Sequence, residues 1–120
     1  MSYVDGFVLP VPEGNLDAYL EMARKAGEVW REHGALEYVE CVADDVKPGV
    51  HTSFPQSVKL EPGETVIFSW ILYASREERD RINAKVMEDP RMADMMEPAN
   101  HPFDGKRMIW GGFREVLRLP

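Results

Sequence analysis

The most apolar stretch of the chain is the segment ETVIFSWILY, residues 64–73, which is rich in β-branched and aromatic side chains. This composition predicts a β-strand. Three other segments have a similar character, residues 3–11, 36–44 and 107–119, although adjacent glycines at positions 111 and 112 interrupt the last of them. The hydrophobic pattern therefore predicts four strands.

Two segments between these strands carry apolar residues at helical spacing. The first follows Asn15, a residue that favours the N-cap position, and ends before Gly34, which adopts the left-handed conformation of a helix end at little cost. The second begins at Ser75, where a glutamate three residues later completes a capping box. It ends at Asp89, because the residue before a proline is disfavoured in a helix.

The resulting order of elements is β-α-β-β-α-β, which is typical of a ferredoxin-like α+β fold. Right-handed crossovers in such a chain produce a four-stranded antiparallel sheet with both helices on one face. No linker, repeat or low-complexity tract divides the chain, so we expect residues 1–120 to form one domain.

Both faces of the third strand are apolar, which is unusual in an antiparallel sheet that carries helices on one side only. Since side chains alternate across a strand, one face carries Val66, Phe68, Trp70 and Leu72, and the other carries Ile67, Ile71 and Tyr73. The face without helices needs a cover. A second copy of the chain would provide it, so we expect a homodimer in which two sheets form a dimeric α+β barrel. The alternative cover is the loop of residues 45–63, in which Ser53 and Gln56 form a capping box that predicts a short helix.

The composition is that of a globular protein, with 44% hydrophobic and 29% charged residues among 120. A net charge of −7 repels phosphate backbones and anionic lipids, so we expect neither nucleic acid nor a membrane as a partner. No apolar run approaches the roughly 20 residues that span a bilayer, and no signal sequence is visible at the start, so we expect a cytoplasmic location. The single cysteine, Cys41, is expected to be a small core residue.

Three residues are candidates for acid–base or anion chemistry. Asp5 lies in a strand that the topology places inside the sheet, so its carboxylate is either paired, with Arg107 or Arg114, or a titratable group that lines a cavity. If the protein is an enzyme, we expect Asp5 or the loop residue His51 to accept a proton and Arg107 to hold an anion. A structural ion pair between Arg107 and Asp104, across a turn, is the alternative interpretation.

Aromatic side chains supply the candidates for a ligand pocket between the helices and the sheet. Aromatic residues at these spacings are also typical of a plain core, and that alternative stays open. No recognised metal-ligand spacing is present, so neither a metal nor another cofactor is expected. Methionines after the second helix, at positions 87, 92, 95 and 96, suit either an adaptable lid or gap filling. The candidate lining residues are Tyr19, Trp30, Tyr38, Phe68 and Trp70, with Asp104 and Arg107 as further ligand-binding candidates.

Several blocks of sequence resemble one family of small bacterial proteins. They are YVDGF (residues 3–7), GALEYVEC (34–41), FSWI (68–71), DPRM (89–92) and PFDGKRMI (102–109), the last followed by GGF at 111–113. These blocks are similar to those of the YbaA-like family, domain of unknown function 1428, over nearly the whole chain. The resemblance implies a dimeric α+β barrel, a superfamily that includes cofactor-free monooxygenases, haem-degrading enzymes and isomerase-like proteins. The family has no established reaction, so the resemblance supplies no catalytic residues.

Two functions from different classes follow from these expectations. The first is a homodimer that binds a small aromatic or carbonyl compound and, as an enzyme, acts on it without a cofactor, as a monooxygenase or isomerase. The second is a non-catalytic binding or assembly module whose dimer surface is its function. A cavity lined by polar groups would favour the first, and a filled interior the second.

Overall fold

Four strands form one antiparallel sheet in the computed structural model of the protein, which describes residues 1–95, 97 and 101–120. The order across the sheet is β2-β3-β1-β4, which confirms the predicted α+β, ferredoxin-like fold. Single 3-10 turns lie at Glu13–Asn15, Pro90–Met92 and Gly105–Arg107. The elements are β1 (Tyr3–Pro12), α1 (Leu16–Glu32), β2 (Glu37–Val42), α2 (Phe54–Ser57), β3 (Glu64–Tyr73), α3 (Arg76–Glu88) and β4 (Ile109–Arg114).

The helix ends follow the local signals of the sequence with one exception. The Ser75 hydroxyl accepts a hydrogen bond from the backbone N–H of Glu78 at 3.1 Å, so the predicted capping box begins α3. Gly34 ends α1 with φ +121°, in the left-handed region that favours glycine. Asn15 occupies the N-cap position of α1, but its side chain donates instead to the carbonyl oxygen of Pro102 at 3.0 Å.

The last strand is shorter and more regular than the pattern predicts. It starts at Ile109, because residues 105–107 form a 3-10 turn, and residues 115–120 are irregular. The glycine pair does not interrupt the strand: Gly111 pairs with Gly6, and Gly112 with Asp5, in unbroken register. The predicted interruption is therefore wrong. The Tyr3 ring occupies the space that a side chain at position 112 would need, which explains one of the two glycines.

Both long helices pack on the same face of the sheet, as expected. Ala26 and Val29 of α1 and Ile82 of α3 form one buried cluster with Ile71 and Tyr73 of β3. A second cluster joins α1 to β1 and β3 farther along the sheet, through Leu9, Val11, Tyr19, Ala23 and Ile67.

The opposite face is covered at one end only. Val58 of the long loop is buried against Val8 and Val66, and the Phe54 ring of α2 meets the Phe68 ring edge-on, with centroids 6.0 Å apart. The alternative cover, the loop of residues 45–63, therefore accounts for that end of the face. The remainder, which we call the open face, stays uncovered in this chain and consists of Val4, Gly6, Phe68, Trp70, Ile109, Gly111 and Phe113.

Cys41 is exposed, which corrects the prediction that it is a core residue. It pairs with Phe68 in the register between β2 and β3, and β2 is an edge strand. The alternation of side chains along β2 therefore turns Cys41 away from the helices. Among the described helices, none is both long enough and apolar enough to cross a membrane.

Candidate functional site

A cavity of about 220 Å³ lies between α1 and the sheet. Its wall is mostly aromatic and thioether side chains, and the 3-10 turn Pro90–Met92 and residues 103 and 108 border it on the side away from β2. Residues that border the cavity include Phe7, Leu9, Tyr19, Met22, Ala23, Ala26, Trp30, Tyr38, Glu40, Ser69, Ile71, Met92, Met95, Phe103 and Met108.

Glu40 brings a carboxyl group into this apolar space. It pairs with Ser69 in the sheet register, and the hydroxyl of Tyr19 donates a hydrogen bond to its Oε2 at 2.8 Å. The Tyr38 side chain borders the same cavity, and its hydroxyl also favours the charged form of this carboxyl. In the part of the chain that the structure describes, no lysine, arginine or histidine forms an ion pair or hydrogen bond with Glu40.

Burial shifts the proton equilibria of all three groups in the same direction. It raises the pKa of the Glu40 carboxyl, and the hydrogen bond from Tyr19, together with the nearby Tyr38 hydroxyl, offsets part of that rise because both favour the charged form. Burial, followed by the nearby Glu40 charge, raises the pKa of both phenols. The two tyrosines are therefore neutral phenols over the physiological pH range, and the folded protein holds the Glu40 proton to a higher pH than an exposed glutamate would.

Close packing between α1 and β2 fixes the position of Tyr38. Gly27 of α1 lies against its ring, and a Cβ at that position would sit 2.6 Å from a ring carbon. The Trp30 ring lies 6.1 Å from the Tyr38 ring, and Phe103 meets Tyr19 edge-on at 5.5 Å. Aromatic neighbours thus fix the positions of both tyrosine rings beside the cavity.

Asp5 does not border this cavity; it belongs to a buried ion pair. Only 2% of Asp5 is exposed, and its Oδ1 lies 2.7 Å from Nη1 of Arg79 in α3. The Tyr73 hydroxyl donates to its other oxygen at 3.1 Å, and burial raises the pKa of that phenol. The prediction that Arg107 or Arg114 pairs with Asp5 is therefore wrong. The cation comes from α3, which packs on the sheet.

Arg107 is held by carboxylates at the far end of the sheet. Its guanidinium forms two hydrogen bonds of 2.7 Å with Glu64 and one of 3.0 Å with Asp104, and it donates to the Lys59 carbonyl oxygen at 3.0 Å. These contacts lower the pKa of Glu64 and of Asp104. The geometry is that of the structural pair across the turn. His51 is exposed in the long loop, so the structure places Asp5, His51 and Arg107 in three separate environments.

Of the predicted pocket residues, Tyr19, Trp30 and Tyr38 meet at the cavity, Trp70 borders both the cavity and the opposite face, and Phe68 belongs to the opposite face. The indole N–H of Trp70 points toward Glu37, 3.4 Å from its Oε1. Met92 and Met95 border the cavity and Met87 is exposed; Met96 lies outside the described residues. Among the described residues, no group of three or more His, Cys, Asp and Glu side chains is arranged to hold a metal ion.

Sequence reasoning missed Glu40, which it treated only as a neighbour of Cys41. The signal was available in the alternation of β2: if Cys41 faces away from the helices, then Tyr38 and Glu40 face toward them. A glutamate on the helix side of a strand needs either a cation or a cavity, and here it has a cavity.

Comparison with known sequences shows strong similarity over the whole chain. The family model described as a protein of unknown function (DUF1428) matches residues 2–105. The protein named "Uncharacterized protein YbaA" from Escherichia coli K12 is 54% identical over 117 residues, which cover 98% of each chain. The protein of the same name from Shigella flexneri has the same identity and coverage.

Solved structures of low sequence identity share the fold. A NIPSNAP family protein of unknown function from Agrobacterium tumefaciens superposes with a TM-score of 0.63 at 14% identity, covering 99% of this chain and 92% of its own. A Nitrosomonas europaea protein provisionally named an antibiotic biosynthesis monooxygenase has a TM-score of 0.54 at 13% identity, covering 96% and 90%. These similarities concern the fold alone. On the evidence of the family model and the YbaA sequences, the chain belongs to the DUF1428 family of proteins of unknown function.

Proposed function

We propose that the protein is a homodimer that binds a small aromatic or carbonyl compound in the cavity between α1 and the sheet. The observation that carries this proposal is Glu40, a carboxyl group with raised pKa that faces an apolar cavity beside two tyrosine hydroxyls. A half-buried carboxyl with no cation among its described partners is costly to the fold. A ligand-binding role gives a reason for that cost.

The lining defines the chemistry of the ligand. Aromatic and methionine side chains surround an apolar body, and methionine adapts to its shape. The hydroxyls of Tyr19 and Tyr38 offer donors for a carbonyl or hydroxyl oxygen, and Glu40 offers an acceptor. A carboxylate ligand fits poorly, because it would meet the Glu40 carboxyl in a cavity that no cation borders among the described residues. The ligand is therefore a neutral, mainly aromatic molecule with one or two oxygen atoms.

Dimerisation through the open face completes the proposal. Phe68, Ile109 and Phe113 are 42%, 45% and 65% exposed on that face. Burying large apolar side chains contributes about 1.5–3 kcal/mol each, which strongly favours association. The open face is one patch of the same sheet, so a two-fold axis brings two copies of it together.

A second candidate function is a non-catalytic assembly module, which the open face favours independently of the cavity. The enzymatic form of the leading proposal is a cofactor-free monooxygenase or isomerase. A single domain and a cytoplasmic location stay predictions from the sequence.

A thermal-shift screen tests the binding proposal. The screen compares neutral aryl ketones and phenols with aryl carboxylates of similar size. A ligand present at about one hundred times its Kd stabilises the folded state by about 2.7 kcal/mol, which corresponds to a rise in melting temperature of about 10 °C. We expect the neutral compounds to raise the melting temperature and the carboxylates not to.

A pair of variants on α1 locates the binding. Ala26→Leu extends a side chain into the cavity and should abolish the shift, while Ala18→Leu, on the exposed side of the same helix, should keep it. No shift with any compound in the screen, or an undiminished shift in Ala26→Leu, would contradict the proposed site.

A further inference from the structure

We infer that Glu40 is a general base which moves a proton at the carbon next to a carbonyl group, and that the substrates are small neutral ketones that carry an aromatic ring. The inference rests on the proposed function, since it requires the ligand to occupy the cavity between α1 and the sheet. It adds a reaction and a role for each polar group there.

The geometry around Glu40 is that of a base rather than a structural ion. Its Oε2 is fixed by the Tyr19 hydroxyl at 2.8 Å, and the group borders a cavity large enough for a ligand of about 220 Å³. Structural carboxylates of this chain look different: Asp5 and Glu64 each bind an arginine at 2.7 Å. Glu40 has no cation among its described partners, so a carboxylate there keeps its basicity.

The Tyr38 hydroxyl supplies the second requirement, a donor for developing negative charge. It is neutral, because burial and Glu40 raise its pKa, and the Tyr38 side chain borders the same cavity as Glu40. When a ketone oxygen enters beside Glu40, this hydroxyl is positioned to donate to it. A donor aimed at an enolate oxygen in an apolar site lowers the barrier to enolisation.

The proposed step balances without another reactant. The Glu40 carboxylate takes the proton, the C–H electron pair becomes the new C=C bond of an enolate, and the carbonyl electron pair moves to the oxygen that Tyr38 hydrogen-bonds. The Glu40 carboxylic acid then returns the proton to carbon, at the same atom or at the far end of a conjugated enolate, and the carbonyl re-forms. The net reaction is hydrogen exchange or isomerisation, with nothing oxidised or reduced.

Tyr19 acts as a positioning residue in this scheme. Its hydrogen bond favours the charged form of Glu40 and thereby limits the rise of the carboxyl pKa. Tyr19→Phe should therefore move the pH at which the rate reaches half its maximum to a higher value, because Glu40 then loses its proton later. A merely structural role for Tyr19 would lower the rate without moving that pH.

Hydrogen exchange in D₂O tests the inference directly. The full-length protein is incubated with 2-tetralone, 2-indanone or phenylacetone, and loss of the proton signals beside the carbonyl is followed by NMR. We expect exchange with the wild-type protein to exceed buffer, and Glu40→Gln to lower it by about 10²–10⁴-fold. Tyr38→Phe should lower it by about 10²-fold. Glu21→Gln removes an exposed carboxylate of α1 and should leave the rate unchanged.

The outcomes separate this inference from the proposed function. If the ketones raise the melting temperature but exchange is no faster than in buffer, or persists in Glu40→Gln, the inference is overturned and ligand binding stands. If the ketones neither bind nor exchange while phenols raise the melting temperature, the inference alone is overturned; if no compound of the screen binds, both are overturned. Melting curves of Glu40→Gln and Tyr38→Phe show whether a lost rate reflects a lost fold.

Discussion

Glu40 makes the stability of the protein depend on pH in a direction opposite to that of its paired carboxylates. Burial raises the pKa of its carboxyl, so the folded state keeps this proton at pH values where the unfolded chain has released it. The stabilisation from that preference is present below the unfolded-state pKa, about 4.3, and is lost as the pH rises through the folded-state pKa. The wild-type free energy of unfolding should therefore fall relative to that of Glu40→Gln as the pH rises from about 4.

Urea unfolding of the two proteins at several pH values measures this difference. Taking the difference cancels the contributions of Glu64 and other carboxylates with lowered pKa, which act in the opposite direction. Glu21→Gln serves as the control, with no comparable trend expected for its exposed carboxylate. A wild-type advantage over Glu40→Gln that grows with pH would show that the carboxyl pKa is lowered rather than raised.

Asp5 should be among the most sensitive polar positions for stability. Asp5→Ala removes the buried carboxylate partner of the Arg79 guanidinium, which is only 14% exposed and keeps only the exposed Asp80 at 2.8 Å as a described ion-pair partner; breaking such a buried pair costs about 3–5 kcal/mol. The same change in an Arg79→Met background should cost much less, because that protein has no Arg79 guanidinium to lose its buried partner. Glu28→Ala, which breaks an exposed pair with Arg24, should cost less than about 1 kcal/mol. Equal effects of Asp5→Ala in both backgrounds, measured by chemical denaturation, would mean that the two residues are not coupled.

The sequence indicates that Asp5 is either paired or at a cavity, because an unpaired buried charge is costly. It does not indicate Arg79, which lies 74 positions away in the chain and approaches only when α3 packs on the sheet. Glu40 was missed for a related reason. Whether the Glu40 side chain faces the cavity depends on which side of β2 the helices cover. The packing of α1 decides this, and no residue near Glu40 in sequence indicates it.

The contact between α1 and β2 gives a prediction for whole elements. Alanine favours a helix over glycine by about 1 kcal/mol, yet Gly27→Ala should destabilise the protein, since its Cβ would overlap the Tyr38 ring. Overpacking of this kind costs about 1–3 kcal/mol. Displacement of Tyr38 should also weaken the ligand-induced thermal shift.

The matched control is Gly14→Ala, where no atom lies within 4 Å of the added carbon. Its free energy of unfolding should stay within about 0.5 kcal/mol of the wild type. A stabilising Gly27→Ala would mean that helix propensity outweighs the contact and that α1 tolerates displacement from β2.

Element boundaries followed the sequence wherever the signal was local. The strand Glu64–Tyr73 lies where its apolar run predicts, and the serine caps of α2 and α3 form the expected hydrogen bonds at Ser53 and Ser75. The last strand was misjudged because Gly111 and Gly112 resemble a break. Only the packing of Tyr3 of β1 against Gly112 shows that a glycine there continues the ladder.

For the whole molecule, we expect light scattering coupled to size-exclusion chromatography to give the mass of a dimer at micromolar concentration. Phe113→Glu places a charge in the middle of an apolar surface, since this residue is 65% exposed on the open face. Its burial against a second copy would be costly. The variant should therefore run as a monomer with an unchanged circular dichroism spectrum.

Met87→Glu provides the control, because this exposed methionine lies on α3, on the other side of the sheet. It should remain dimeric. A wild-type protein that has the mass of a monomer at these concentrations would remove the dimer from the proposed function and leave the cavity unaffected.

Apolar side chains on both faces of β3 are visible in the sequence, and so is the need for a cover. The sequence does not show how far the loop of residues 45–63 extends. Its Val58 and Phe54 reach one end of the sheet, and the distance they cover depends on how the loop packs. The homodimer itself stays a prediction.

The position of Cys41 has a practical consequence. The chain contains one thiol, and it lies exposed beside Phe68 at the edge of the open face. Alkylation by a maleimide requires access to that sulfur. If copies associate through this surface, the labelling rate should fall as the protein is concentrated, and Phe113→Glu should remove that dependence. Cys41 of the unmodified protein can therefore serve as the labelling site that reports self-association.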